Sequence, residues 1–146
     1  MKIIVVGAGK VGYSVAKILS EEGHDITVID RDPETITHLS NELDVICVEG
    51  SATNHETLLG AGAAEADLLM AATQQDEVNM VCGITARKLG TKHVIARIRD
   101  TEYLRQTEFL REVLGLSITI NPEYECAKEI ARILRFPSAA RVDTFS

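Results

Sequence analysis

Short apolar runs rich in β-branched residues alternate with longer amphipathic segments along this chain. The first run, Ile3-Ile4-Val5-Val6, lacks the polar alternation of a half-exposed strand, so we expect this strand to be buried on both faces, as in a parallel sheet. The six predicted strands cover residues 3–6, 26–29, 45–48, 68–72, 93–97 and 117–120. Regular alternation of strand and helix signals predicts an α/β fold.

The segments between several of these runs carry helix signals. After the first run, apolar residues recur at helical spacing at Val11, Val15, Ile18 and Leu19. Further helices are predicted over residues 77–89, 101–114 and 122–135. Thr101 can cap the second of these three, and Gly90, Gly115 and Pro137 are typical helix ends.

Six strands joined by helical crossovers predict a Rossmann-like doubly wound parallel sheet with strand order 3-2-1-4-5-6 and helices on both faces. Residues 1–136 account for this one nucleotide-binding domain. The tail at 137–146 resembles the start of another extended segment, and we expect it to lead into a further domain.

A glycine-rich loop follows the first predicted strand, with the sequence Gly7-Ala8-Gly9-Lys10-Val11-Gly12. Gly7 suits a tight turn, Gly9 lets a pyrophosphate approach the backbone, and Gly12 lets the next helix pack closely. The free N–H groups at that helix start favour an anion. The whole loop is therefore a predicted phosphate-binding site.

An acidic residue, Asp30, ends the second predicted strand 18 positions after Gly12. A carboxylate there accepts hydrogen bonds from ribose hydroxyls and repels a 2′-phosphate. This favours NAD(H) or an adenine nucleotide over NADP, although the neighbouring Arg31 weakens the exclusion. A surface turn acid is the alternative interpretation of Asp30.

Ligands of doubly wound sheets bind at the carboxyl ends of the strands, beside the first strand. Polar or small residues follow three other predicted strands there, at Ser51, Ala52 and Thr53, at Thr73 and at Arg97. We expect the fold to bring these residues to the glycine loop. An ion pair with Asp76 or Asp100 is the alternative role for Arg97, and a solvated loop position is the alternative for Lys10.

The 146-residue chain has a formal net charge of −7 and no basic stripe, which argues against nucleic acid as a partner. No apolar run approaches the ~20 residues of a membrane-spanning helix. Three well-separated cysteines, Cys47, Cys82 and Cys126, predict reduced, mostly buried thiols and a cytoplasmic protein.

The four histidines, His24, His38, His55 and His93, form no recognisable acid–base set. A binding module therefore explains the chain better than an enzyme. The alternative is the cofactor-binding half of an NAD-dependent dehydrogenase, whose catalytic domain would follow residue 146.

The order of motifs resembles the N-terminal domain of the RCK (KTN) family, which regulates potassium channels and transporters. The likeness covers essentially the whole chain and rests on the glycine loop, Asp30, and the stretches at 50–53, 61–62, 66–67, 73–79, 96–99 and 120–123. It implies a sensor that binds NAD(H), ATP or ADP and forms dimers and rings beneath a membrane pore. Nucleotide exchange would change the ring and gate potassium flux.

The same resemblance implies roles for single residues. Lys10 and Arg97 would contact phosphate, and Thr73 would face the nucleotide. Ser51 departs from the acidic residue frequent in the family, which leaves the nucleotide preference open. Glu123 matches a cation-binding position of some relatives, but one carboxylate makes a weak metal site, so we expect no metal. The last predicted helix, with Ala127, Ile130, Ala131 and Leu134 on one face beside Ile133, would pack on its own sheet, on a partner subunit, or on both.

Overall fold

A computed structural model describes residues 1–135 and contains one six-stranded, all-parallel sheet. The strand order β3-β2-β1-β4-β5-β6 confirms the predicted fold class and topology. The strands are β1 (Lys2–Val6), β2 (Asp25–Asp30), β3 (Ile46–Glu49), β4 (Leu68–Ala71), β5 (His93–Arg97) and β6 (Ser117–Thr119). The predicted boundary at residue 136 and the tail lie outside the described residues.

Seven helices connect or follow these strands in the described part of the chain. They are α1 (Lys10–Glu21), α2 (Pro33–Glu42), α3 (His55–Gly60), α4 (Asp76–Leu89), α5 (Thr101–Leu104), α6 (Thr107–Leu114) and α7 (Pro122–Arg135). Within residues 1–135, none of them combines the length and apolarity needed to cross a membrane.

The prediction of one helix over 101–114 is wrong, because two helices occupy this segment. The backbone leaves the helical conformation at Gln106, with φ −110° and ψ 21°. Thr101 is not the cap either. The carboxylate of Asp100 accepts the backbone N–H of Glu102 at 2.8 Å and satisfies a donor at the start of α5.

Two apolar cores lie on opposite faces of the sheet, which confirms that helices cover both faces. In β1, Ile3 and Val5 belong to one core, and Ile4 and Val6 belong to the other. The first core is closed by residues of α1, α2 and α7, and the second by residues of α3 to α6. One helix residue departs from expectation, because Ile18 of α1 is 52% exposed.

The Asp67 side chain forms two hydrogen bonds at the amino end of the sheet, where β1 and β4 begin. Its Oδ2 accepts the backbone N–H of Lys2 at 2.8 Å, and its Oδ1 accepts from Lys92 Nζ at 3.2 Å. Burial alone would raise the pKa of Asp67. The hydrogen bond from Lys2 and the charge of Lys92 outweigh that effect and hold the pKa below its ordinary value of 3.8.

This lowered pKa predicts an acid-dependent contribution to stability. A carboxylate with a depressed pKa stabilises the fold above its unfolded pKa, and this contribution is lost as pH falls through the folded value. We expect Asp67→Asn to lower the unfolding free energy by on the order of 1 kcal/mol at pH 7. The difference should shrink on acidification below pH 4. Denaturant titrations across pH 3 to 7 measure both effects.

Asp44→Asn provides the control, because Asp44 is an exposed acid that takes no part in the contacts of Asp67 with Lys2 and Lys92. We expect this variant to follow the pH dependence of the wild-type protein. A pH-independent difference between wild type and Asp67→Asn would contradict the assignment.

Candidate nucleotide-binding site

A cleft of about 520 Å³ opens at the carboxyl ends of the central strands. Every predicted site residue except Ala8 and Gly12 lines it, which brings together positions that are far apart in sequence. These residues are Gly7, Gly9, Lys10, Val11, Asp30, Arg31, Ser51, Ala52, Thr53, Thr73 and Arg97. The geometry thus assembles the predicted site, and the roles of its members as ligand contacts stay predictions.

The glycine loop turns tightly between β1 and α1. Gly7 has φ +92° and donates its N–H to the carbonyl of Ile29 at 2.8 Å. A Cβ on Gly7 would lie 3.1 Å from the backbone of Ala72, and a Cβ on Gly12 would lie 1.7 Å from the Gly7 carbonyl oxygen. Gly12 therefore lets the first turn of α1 pack directly against the glycine loop. The sequence predicted that Gly12 would allow close packing of the helix on the sheet, and the tightest contact is instead with the Gly7 carbonyl.

The amino end of α1 has no side-chain cap. Its N-cap residue is Gly9, and its first turn contains no acidic residue. The side chains of Asp32, Asn54 and Asp100 cap α2, α3 and α5, and the uncapped helices α4 and α6 carry acidic residues in their first turns. The first N–H groups of a helix lack intrahelical partners. At α1 these groups and the helix dipole suit an anion such as a phosphate.

Asp30 joins the end of β2 to the glycine loop. Its Oδ2 accepts the backbone N–H of Ala8 at 2.7 Å, and its Oδ1 accepts the backbone N–H of Asp32 at 2.9 Å. Each carboxylate oxygen has a further lone pair, so the side chain retains acceptor capacity for ribose hydroxyls. A simple surface-acid interpretation does not describe this residue, because its carboxylate holds the loop.

The segment after β3 forms a neutral polar wall of the cleft. The hydroxyls of Ser51 and Thr53 lie 2.9 Å apart, and the N–H of Gly50 donates to the Asp30 carbonyl at 3.0 Å. Ser51 thus offers hydrogen-bonding capacity without charge at the position where it departs from the family pattern.

Arg97 ends β5 and borders the cleft with its side chain partly buried. The alternative pairing with Asp76 or Asp100 is wrong, because Arg97 forms no salt bridge with either within residues 1–135. The Asp76 carboxylate instead accepts the backbone N–H groups of Arg99 and Asp100, at 3.1 Å and 2.8 Å.

The charged residues that line the cleft are mainly cationic, although the chain carries a formal net charge of −7. The lining contains three cationic residues, Lys10, Arg31 and Arg97, and one acidic residue, Asp30. This local excess of positive charge at the mouth of an uncapped helix suits a ligand with one or more phosphates.

Sequence reasoning missed part of the site. Gln74, Gln75 and Val78 also line the cleft, and the fully buried Asn79 lies behind them. Asn79 bonds Thr73, because its Oδ1 accepts from the Thr73 hydroxyl at 2.7 Å. The available signal was their position: all four follow β4, which lies beside β1 at the switch point.

The cysteines and histidines of the described part lie outside the cleft lining. Burial raises the pKa of both Cys82 and Cys126 to about 12, so these thiols stay protonated and unreactive. His93 Nδ1 lies 3.3 Å from Glu129 Oε1, between β5 and α7. Residues 1–135 contain no group of three or more potential metal-ligating His, Cys, Asp or Glu side chains, and Glu123 belongs to none.

Comparison with known proteins gives the family of this chain. A family model for the TrkA-N domain matches residues 3–122. Over its whole length, the chain is 39% identical to a Trk system potassium uptake protein TrkA homolog of Archaeoglobus fulgidus. It is 40% identical to the Trk system potassium uptake protein TrkA of Haemophilus influenzae. The chain spans about a third of the length of these curated relatives, covering 33% and 32% of them.

Solved structures share the fold. The TrkA-N domain of the inner membrane protein ybaL from Escherichia coli has a TM-score of 0.72 at 22% identity, covering 91% of this chain and 96% of that one. The GsuK channel bound to NAD has a TM-score of 0.69 at 22% identity, covering 82% of this chain and 21% of that one. The matched family model and the two relatives, which align over the whole of this chain, confirm the expected resemblance: this chain belongs to the TrkA-N domain family.

Proposed function

We propose that this chain is a nucleotide-sensing regulatory domain of a potassium uptake transporter or channel. NAD(H), ATP or ADP would bind in the cleft and shift the conformation of an oligomeric ring that controls potassium flux. The observation that carries the proposal is that the uncapped amino end of α1 and the Asp30 carboxylate border the same cleft. Relatives named as Trk potassium uptake proteins support the transport context.

The regulatory step would be a population shift. A nucleotide can move the ring between two conformations only by as much as its affinity differs between them. The domain would act in the cytoplasm, at the inner face of the cell membrane, through an integral-membrane transporter subunit. Its role would be binding and regulation and not catalysis, which the relatives named as Trk system potassium uptake proteins support.

The outer face of α7 supports a homodimer within the ring. Ile120, Tyr124 and Leu134 are 65%, 62% and 57% exposed, and Ala127 and Ala131 are exposed between them. Ile120 precedes the helix, and the four helical positions 124, 127, 131 and 134 have the alternating spacing of three and four residues of a coiled-coil seam. Cys126 and Ile130 are buried in the core of the same chain, so the expectation that Ile130 shares a face with Ala127, Ala131 and Leu134 is wrong.

Charge supports an antiparallel pairing of two α7 helices. Acidic residues occupy the first turn, at Glu123 and Glu125, and basic residues occupy the last turn, at Arg132 and Arg135. Two antiparallel copies bring the acidic turn of one helix to the basic turn of the other. The α7 helix would thus pack on its own sheet and on a partner subunit.

Calorimetric titration with NADH, NAD, ATP, ADP and NADP tests the nucleotide site. We expect saturable binding of at least one of the first four, and weaker binding of NADP because Asp30 repels a 2′-phosphate. Absence of saturable binding of those four at millimolar concentrations would overturn the proposal. The alternative of a dehydrogenase half predicts a large catalytic domain encoded after residue 146, and the downstream coding sequence settles that point.

Asp30→Ala should weaken nucleotide binding about tenfold or more, because charge-assisted hydrogen bonds to the ribose are lost. Asp32→Ala is the control: it removes the α2 cap, about 1 kcal/mol of stability, at a residue that does not line the cleft. We expect its affinity to match wild type. Equal affinities for all three proteins would show that Asp30 is not a ligand contact.

Gly9→Ala should fold normally yet bind nucleotide at least about tenfold more weakly. An added Cβ on Gly9 meets no protein atom within 4 Å, so its methyl occupies open space beside the predicted phosphate position. Gly60→Ala is a matched control, since its Cβ is equally free and Gly60 lies outside the cleft. Thermal unfolding measures the effect of each substitution on stability, and calorimetry measures its effect on nucleotide affinity. An unaffected affinity in Gly9→Ala would argue against a phosphate beside Gly9.

Leu134→Asp should convert a dimer into a monomer, because it replaces the large apolar side chain at the carboxyl end of the proposed seam with a charge. Leu59→Asp is the control, at a residue of α3 that is 45% exposed and lies over the other core. Sedimentation velocity on both variants and wild type measures the change. A dimer that survives Leu134→Asp would exclude α7 as its interface.

A further inference from the structure

Asn79 is a fully buried side chain whose amide is completely hydrogen-bonded. Its Oδ1 accepts from the backbone N–H of Thr73 at 2.9 Å and from the Thr73 hydroxyl at 2.7 Å. Its Nδ2 donates to the carbonyls of Thr73 at 3.1 Å and Arg97 at 2.8 Å. A buried amide is costly unless all of these bonds form, so an apolar residue would be the simpler choice for core packing alone.

The amide joins two strands where their own hydrogen-bonded ladder ends. The β4–β5 register ends at Ala71 opposite Ala96, and both chains then turn into the loops that border the cleft. Asn79 reaches from the first turns of α4 to both loops. It bonds the N–H and C=O of Thr73 as a strand residue would, and it reaches across to Arg97 as well.

Two cleft-lining segments depend on this connection: the loop that follows β4 and the end of β5. On one side, Thr73 leads directly into Gln74 and Gln75, which line the cleft. On the other, the Arg97 carbonyl is held by Asn79, and the next N–H, that of Ile98, donates to the Thr119 carbonyl at 2.9 Å. The peptide after Arg97 is therefore held on both sides, and this holds the backbone from which the Arg97 side chain extends.

We propose that Asn79 is a positioning residue for the phosphates of the nucleotide: without touching the ligand, its amide sets the place of Arg97 relative to the loop after β4. This inference rests on the proposed function, because it assigns a role within the same cleft. It predicts that loss of the amide weakens nucleotide binding through Arg97, beyond any effect on stability.

A double-mutant cycle tests this coupling, with Asn79→Leu made in the wild-type and Arg97→Ala backgrounds. ADP is the probe, or NAD where ADP does not bind. We expect Asn79→Leu to weaken binding about tenfold when Arg97 is present. With Arg97→Ala, its additional effect should be within about twofold, because the positioned group is gone. An equal factor in both backgrounds, or no loss in either, would overturn the proposal.

Thr91→Val is the control for lost buried hydrogen bonding. Thr91 is 1% exposed, its hydroxyl donates to the Ala63 carbonyl at 2.6 Å, and it lies outside the cleft lining. We expect this variant to lose stability and keep the wild-type affinity. A comparable loss of affinity in Thr91→Val would mean that general destabilisation explains the Asn79 result, and the proposal would fall.

A measurement on the wild-type protein covers the case in which Asn79→Leu does not fold. The side-chain amide signal of Asn79 should shift in nitrogen-15 NMR on saturation with ADP and should shift much less with adenosine, which has no phosphate. Equal shifts, or none with ADP, would overturn the inference. The wild-type titration separates the two proposals: no nucleotide binding overturns both, whereas binding without an Asn79 effect overturns this inference alone.

Discussion

The architecture of the cleft depends on one close approach, that of the Gly12 backbone to the carbonyl of Gly7. Because neither residue has a side chain, the first turn of α1 lies directly against the turn that leaves β1. This places an uncapped helix terminus at the carboxyl end of the central strand β1. The remaining parts of the site, from β2, β3, β4 and β5, are arranged around that terminus by the strand order.

The fold was predictable because its signals are local and repeated. Six buried apolar runs, separated by crossover segments, leave few topologies open, and the handedness of parallel crossovers selects among them. Boundaries were less predictable. The break at Gln106 and the cap at Asp100 depend on backbone geometry and on which side chain reaches which N–H, and Thr101 was an equally reasonable cap in the sequence.

Site residues divide in the same way. Gly7, Gly9, Gly12 and Asp30 follow a spacing with a physical reason, and the structure brings them together. The position of Asn79 after β4 indicates that it lies near the cleft, but the sequence does not show its hydrogen-bond partners. Its side chain bonds residues 73 and 97, which meet only in the folded chain. Ile18 shows the converse: helical periodicity marks it as core, but its place on the rim of the α1 face leaves it half exposed.

The Asp30 carboxylate holds the glycine loop by a hydrogen bond within the protein, from the backbone N–H of Ala8. A loop already held by the protein loses little conformational entropy on binding, so nucleotides with the same ribose and phosphate groups compete for a ready-made receptor. When both competitors are well above their dissociation constants, the ratio of their occupancies equals the ratio of their concentrations weighted by the ratio of their affinities. In the proposed sensor, a saturated site would report the balance between two nucleotides, such as an oxidised and a reduced cofactor, and would be insensitive to changes that scale both together.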